Sequence, residues 1–345
     1  MPNIIIAFFG AMLLSYVLTP HVIKLAHKIG AIDVPKDDRR VHSKPIPRLG
    51  GIAIFGGFFL VSVNVLPLTR EMFGFFLASL IIIVMGVLDD TRGLGAKTKL
   101  LVQILCAVIV YFFGVKIEFL TNPFDKEIGM MYLGMWGLPL TVFWIVGITN
   151  TVNLIDGLDG LAAGISAISA ITLSLVAYMA NDISSTILLV ALAGGAIGFL
   201  PFNFNPAKIF MGDTGSLFLG FALSVISIEA AIKSAATLAV VVPILALGIP
   251  IFDTTFAIIR RANAGRPIME ADKGHLHHRL LSKGLSQKQT VIALYLISCI
   301  LGASAIFIAE ASLKSAMIVL LLDLLLIIYG VFRLKILTHT QEEPK

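Results

Sequence analysis

Between Asn150 and Gly164 the chain reads NTVNLIDGLDGLAAG, two amides and two carboxylates set between long apolar runs. Asn150, Asn153, Asp156 and Asp159 recur every third residue, so neighbouring members lie close on a helix although the series drifts around it. Oxygen donors of this kind suit a hard divalent cation such as Mg²⁺ and leave room for a diphosphate. The plainer alternative is a helix end whose Asn and Asp satisfy stray backbone groups.

Four other segments carry the same signature of polar chemistry at the end of an apolar run. In MGVLDDTRGLGAKTK, Asp89 and Asp90 are adjacent acids, costly at a membrane boundary unless they bind a cation or share a proton. Such a pair also offers a base to a phosphate or hydroxyl nucleophile. In PFNFNPAKIFMGDTGS, Asp213 precedes an apolar run, as a helix N-cap or as a cation ligand beside free N–H groups that favour phosphate oxygens; Asn205 lies in the same segment. His275, His277, His278 and Arg279 form a compact run with no nearby cysteine and no H-E-x-x-H spacing. Structural zinc is therefore set aside in favour of donors that grip phosphates and a sugar. Lys44, Arg48, Lys97, Lys99 and Arg266 complete the basic set, either as solvated charges or as phosphate partners.

The elements that must position these residues are membrane helices. Of 345 residues 57% are hydrophobic and 14% charged, and the mean hydropathy is +0.95, which excludes an ordinary soluble domain. Apolar runs near 3–23, 49–68, 72–88, 100–117, 136–152, 161–180, 185–202, 214–232, 236–259, 290–310 and 313–332 predict an all-α polytopic protein of about eleven transmembrane helices in one domain over 1–345. The first run lacks a small-residue cleavage site and reads as a retained span. Seven Lys or Arg lie in 24–48, three in 89–99 and seven in 260–288. By the positive-inside rule these connections are cytoplasmic, the N-terminus is outside and the C-terminus inside. All five polar segments then share the cytoplasmic face. Residues 118–135 predict a small external β-hairpin. A pI near 9.2 fits basic loops against anionic lipid or a phosphorylated substrate, with no nucleic-acid partner. Cys106 and Cys299 fall within spans and take packing roles. Asp253 and Asp323 are acids within spans, the first two turns from Arg260 as a potential ion-pair partner, the second open to an interhelical hydrogen bond or a function.

Together these features suggest phosphoryl transfer to or from a lipid, which needs positioning and charge neutralisation more than covalent apparatus. GVLDDTRGLGAKTKL, NTVNLIDGLDGLAAG, PFNFNPAKIFMGDTGSLFLG and GHLHHRL, in this order, resemble the polyprenyl-phosphate N-acetylhexosamine-1-phosphate transferase family over about residues 40–285. The resemblance implies transfer of a phospho-sugar from a UDP-N-acetylhexosamine to a polyprenyl phosphate such as undecaprenyl phosphate, with release of UMP. It further implies dependence on Mg²⁺ or Mn²⁺, a bacterial plasma membrane and a homodimer. Asp213 and Asn153 match metal-coordinating positions, and Asp89 and Asp90 match paired acids near the lipid phosphate. Lys99 matches a lysine that would hold that phosphate, Lys44 matches a substrate-binding lysine of the first cytoplasmic loop, and Asp156 and Asp159 match acids of the nucleotide-sugar pocket. His275, His277, His278 and Arg279 match the loop that holds phosphates and sugar. A third acid found in some relatives is absent, since Gly93 stands in its place. Leu276 interrupts the run of three histidines typical of the branch using UDP-MurNAc-pentapeptide. The pattern resembles the branch that uses UDP-N-acetylglucosamine to begin teichoic-acid, O-antigen or common-antigen synthesis. Single-step attack and a route through an aspartyl-phosphate both remain open. DGLDGLAA is also similar to the start of the CDP-alcohol phosphotransferase motif, but Gly164, Ile165 and Ser166 stand where that motif continues differently. A transporter or flippase of anionic lipid would favour polar residues at mid-membrane depth rather than at one face.

Overall fold

The computed structural model describes residues 1–34, 45–121, 130–233, 240–265, 267, 274–334 and 336. It is a bundle of helices: α1 Pro2–Ile29, α2 Gly50–Val65, α3 Arg70–Arg92, α4 Ala96–Phe113, α5 Gly137–Leu154, α6 Leu161–Met179, α7 Ile183–Asn203, α8 Gly212–Lys233, α9 Val241–Ala246, α10 Gly248–Asn263, α11 Leu276–Ser282, α12 Gln287–Glu310 and α13 Leu313–Leu334. Two short antiparallel ribbons accompany them. β1 (Ile32–Asp33) pairs with β2 (Ile46–Pro47), and β3 (Phe119–Thr121) pairs with β4 (Met130–Tyr132) in the stretch where a hairpin is predicted.

Among the described residues nine helices are long and apolar enough to cross a membrane, against about eleven predicted from the runs. Two runs account for the difference. The second forms α2, whose 16 residues extend only about 24 Å at the rise of an α-helix. The run predicted over 236–259 divides at Leu247 into α9 and α10. Pro250 has no N–H to give the carbonyl of Ala246, and Gly248 weakens the helix beside it. Ser169 of α6 donates its hydroxyl to the freed Ala246 carbonyl at 2.6 Å, so that carbonyl keeps a partner at the break.

The helix at the centre is α8, packed by α2, α3, α5 and α6, while α1 lies along α2 and α7. Close approach here depends on residues without side chains. A Cβ on Gly51 or Gly86 would stand 2.2 Å from the Gly215 nitrogen or 2.4 Å from the Thr214 Cα, so α2 and α3 meet the backbone of α8 directly. At the other extreme α13 faces outward over most of its length. Its Asp323 accepts a hydrogen bond from Ser304 of α12 at 3.0 Å, which is the interhelical alternative allowed by the sequence. Cys106 is buried with its Sγ toward the Ala78 carbonyl at 3.6 Å, and Cys299 is exposed.

The helix ends bearing the polar segments gather at one end of this bundle. The β3–β4 ribbon follows the far end of α4, whose first turn carries Lys99, and so sits at the opposite end.

Candidate active site

The site is organised around the first turn of α8. The strand-like segment before it is stitched to the end of the first loop: the Phe210 N–H donates to the Pro47 carbonyl at 2.8 Å, and the Gly50 and Gly51 N–H groups donate to Phe210 and Met211 at 3.0 Å each. Gly212 then turns the chain with φ of 69°, a left-handed conformation that favours glycine. A side chain there would also strike Asp90.

Asp90 reaches from α3 to cap α8. One carboxylate oxygen accepts the Asp213 N–H at 3.0 Å, and the other accepts the Thr214 N–H at 3.0 Å and the Thr214 hydroxyl at 2.7 Å. Arg48 lies 3.4 Å from the first oxygen and 3.9 Å from Asp33, and the Asp90 side chain is wholly buried. Successive residues on a helix point about 100° apart, which follows from 3.6 residues per turn, so the two adjacent acids do not act as a pair. Asp89 instead accepts the Leu94 N–H at 2.6 Å and the Lys99 ammonium at 3.0 Å. Lys99 also donates to Asp213 at 2.8 Å, bridging two neighbouring carboxylates that would otherwise repel.

The NTVNLIDGLDG series divides in the same way, because α5 ends at Leu154 and the series drifts around it. Asn150 donates to Gln103 of α4 at 2.6 Å and to the Val146 carbonyl, and does not reach the cavity. Asn153 lies beside Asp213 and donates to Ser216 at 2.8 Å. Asp159 holds the loop after α7, accepting from the Asn205 amide and the Ala207 N–H at 3.0 Å each. Asp156 projects from the turn into the cavity. Burial pushes its carboxyl up to about 8, and the charges of Asp213 and Asp90 push in the same direction.

These residues border a cavity of about 810 Å³. Of the predicted residues, Arg48, Asn153, Asp156, Asp159, Asn205, Asp213 and His278 line it. Asp89 and Lys99 adjoin it through Asp213, and Asp90 stands behind. Within the histidine run only His278 borders the cavity. His275 and Arg279 are buried against other elements, and His277 packs its ring on Gly157. Burial lowers the His277 imidazole to about 3, the nearby His278 adding to the effect, so this ring is neutral at ordinary pH. Lys44 and Arg266 lie outside the described residues. Asp253, weighed as a partner for Arg260, gives its two oxygens to His275 and the Leu276 N–H instead.

Sequence reasoning missed Asp33, Lys208, Phe210 and Gln287 as cavity residues. Lys208 and Phe210 sit within PFNFNPAKIFMGDTGS, so the motif itself was the available signal. Gln287 opens α12 with no distinguishing residue pattern.

The carboxylates of Asp213 and Asp89 meet at Lys99, with the Asn153 amide beside Asp213, residue types whose oxygens fit a hard cation. Among the described residues no three His, Cys, Asp or Glu side chains form a closed metal cage.

Comparison with known proteins supplies the remaining context. Residues 72–231 match glycosyl transferase family 4. The chain is 46% identical over 315 residues to the probable undecaprenyl-phosphate N-acetylglucosaminyl 1-phosphate transferase of Bacillus subtilis (strain 168), covering 91% of this chain and 87% of that one. It is 36% identical over 330 residues to the decaprenyl-phosphate N-acetylglucosaminephosphotransferase of Mycobacterium tuberculosis (strain ATCC 25618 / H37Rv), covering 86% and 81%. A phospho-N-acetylmuramoyl-pentapeptide-transferase of Wolbachia sp. subsp. Drosophila simulans is 33% identical over 319 residues, covering 85% and 95%.

Proposed function

The chain belongs to glycosyl transferase family 4, and from that premise we propose that it transfers N-acetylglucosamine 1-phosphate from UDP-N-acetylglucosamine to undecaprenyl phosphate. The products are undecaprenyl-diphosphate-N-acetylglucosamine and UMP. The observation that carries the reading is the convergence of Asp213, Asn153, Asp89 and Lys99 at the N-terminus of α8, with Asp213 and Asn153 on the wall of a cavity large enough for a nucleotide sugar.

Asp213 and Asn153 would hold Mg²⁺, or Mn²⁺ in its place, which supplies neutralising charge to the donor diphosphate. The protein's own groups do the positioning. Arg48, Lys208 and His278 offer cationic or donor atoms across the cavity for phosphate and sugar oxygens. Lys99 holds the acceptor phosphate beside Asp89. An oxygen of the lipid phosphate attacks the phosphorus that bears the sugar, and the bond to the uridine-linked phosphate breaks in line. A polyprenyl phosphate is largely ionised near neutral pH, so Asp89 need only take the last proton. Asp90 contributes by fixing the first turn of α8, whose N–H groups and dipole favour negative charge.

The branch assignment draws on Leu276 and on the stronger likeness to the two N-acetylglucosamine enzymes. Transfer from UDP-MurNAc-pentapeptide is the second reading, supported by the Wolbachia relative. In the membrane, α2 and the α9–α10 pair complete eleven crossings, with the cavity cytoplasmic and the β3–β4 ribbon outside. The distribution of Lys and Arg supports this arrangement. The test is UMP release by purified protein given undecaprenyl phosphate, Mg²⁺ and either donor separately. UMP from UDP-N-acetylglucosamine alone supports the reading; UMP from UDP-MurNAc-pentapeptide alone moves the enzyme to the other branch.

A further inference from the structure

His278 meets the cavity from α11, a helix of seven residues that is too short to hold its own orientation. Its N-cap residue, His275, supplies no side-chain cap. The cap comes from another helix. Asp253 of α10, 3% exposed, accepts the Leu276 N–H with one carboxylate oxygen at 2.8 Å and meets His275 Nδ1 with the other at 2.9 Å. A carboxylate only accepts, so this contact places the ring proton on Nδ1 and fixes both the tautomer and the plane of His275.

The fixed ring is the first of three. His277 lies parallel to His275, 5.9 Å away at an interplanar angle of 6°, and His278 follows with its centroid 4.2 Å from that of His277. Gly157 makes room for the middle ring: a Cβ there would stand 2.6 Å from His277 Nε2. The far end of α11 is held as well, since Arg279 donates to the Leu334 carbonyl at 3.5 Å and Lys283 donates to the Arg333 carbonyl, both at the end of α13.

We propose that Asp253 is a positioning residue for the transfer reaction: through His275 it sets the orientation of α11 and thereby the approach of His278 to the donor. The inference rests on the reading that His278 contacts the donor, and it gives a role to an acid within an apolar helix. Simple structural support would raise KM for neither substrate selectively. Positioning of His278 should weaken the donor side alone.

The experiment uses the full chain in detergent with undecaprenyl phosphate, Mg²⁺ and UDP-N-acetylglucosamine. Asp253→Asn preserves shape and an acceptor for the Leu276 N–H. It should raise KM for the donor by about tenfold, the lower end of what partners behind a contacting group are worth, while KM for the lipid stays within twofold. His275→Ala should give the same signature, and the double variant should be no worse than His275→Ala alone. If Asp253→Asn fails to fold, the donor-selective effect of His275→Ala carries the test. Native kinetics in Asp253→Asn, equal effects on both substrates, or additive losses in the double variant would overturn the proposal. His278→Ala separates the two claims. Its native kinetics would refute donor contact by His278; an impaired His278→Ala beside a native Asp253→Asn would refute Asp253 alone.

Discussion

Helices α8 and α13 both qualify as spans, yet their hydropathies rank opposite to their burial. The α13 window has mean hydropathy 2.5 and is 11% buried, whereas that of α8 has 1.3 and is 89% buried. In lipid an apolar surface gains little by leaving its surroundings, so packing selects small and polar residues that allow close approach and hydrogen bonds. The less apolar helix therefore takes the centre, and its first turn carries the candidate site. The more apolar helix is left to the lipid, tethered to α12 by Ser304 and Asp323.

Substitutions at the two helices should separate accordingly. The largest effect is expected at Asp213: replacement by Ala should lower turnover by ~10³-fold or more, the order a group stabilising a transferring phosphoryl is worth, with the fold retained in thermal melts. Next is Gly86→Ala on α3. Its Cβ would fall 2.4 Å from the Thr214 Cα, so α8 must shift, and a displacement near 1 Å should cost about 10²-fold in kcat. Retained full activity there would mean that the close contact is dispensable.

Asp90→Asn comes third. It leaves the buried site near Arg48 without its negative charge and one acceptor short for the three donors of Asp213 and Thr214. A loss of about 2 kcal/mol in thermal stability is expected from weakening charge-assisted bonds. Asp89→Asn, by contrast, should reduce turnover with a smaller change in stability, which distinguishes the two adjacent acids.

Asp156 gives a pH test at the mouth of α8. A carboxyl raised to about 8 in the folded protein keeps its proton while the unfolded chain has lost it, so its contribution to stability is present at low pH and lost between pH 4 and 8. In ligand-free protein Asp156→Asn should therefore melt increasingly above the native chain as pH rises from 5 to 8. A constant difference would contradict the burial of this charge. The smallest effect is expected at Asp323 on α13, where Asn substitution should change stability by under about 1 kcal/mol and leave kcat unaltered, as for a typical interhelical hydrogen bond in lipid.

Much of this was legible in the chain. Run lengths gave the helices, and paired acids, spaced amides and the MGDTG segment gave the residues that converge. What was hidden depends on angle rather than spacing. Adjacency suggested that Asp89 and Asp90 work together, but a helix turns one toward Lys99 and the other behind α8. A three-residue period placed Asn150 with Asn153 and Asp156, although α5 ends between its members and Asn150 faces Gln103. The apolar run 236–259 gave no warning of the break at Leu247 beyond Gly248 and its prolines, and Asp253 acquired a partner only when α11 folded against α10.

The most direct measurement of the central claim is the identity of the nucleotide released when purified protein, undecaprenyl phosphate and Mg²⁺ meet UDP-N-acetylglucosamine labelled in the phosphate next to the sugar. Transfer of the phospho-sugar releases unlabelled UMP and carries the label into the lipid, and both should vanish in Asp213→Ala. Labelled UDP with unlabelled lipid, or no nucleotide release at all, would contradict the assignment.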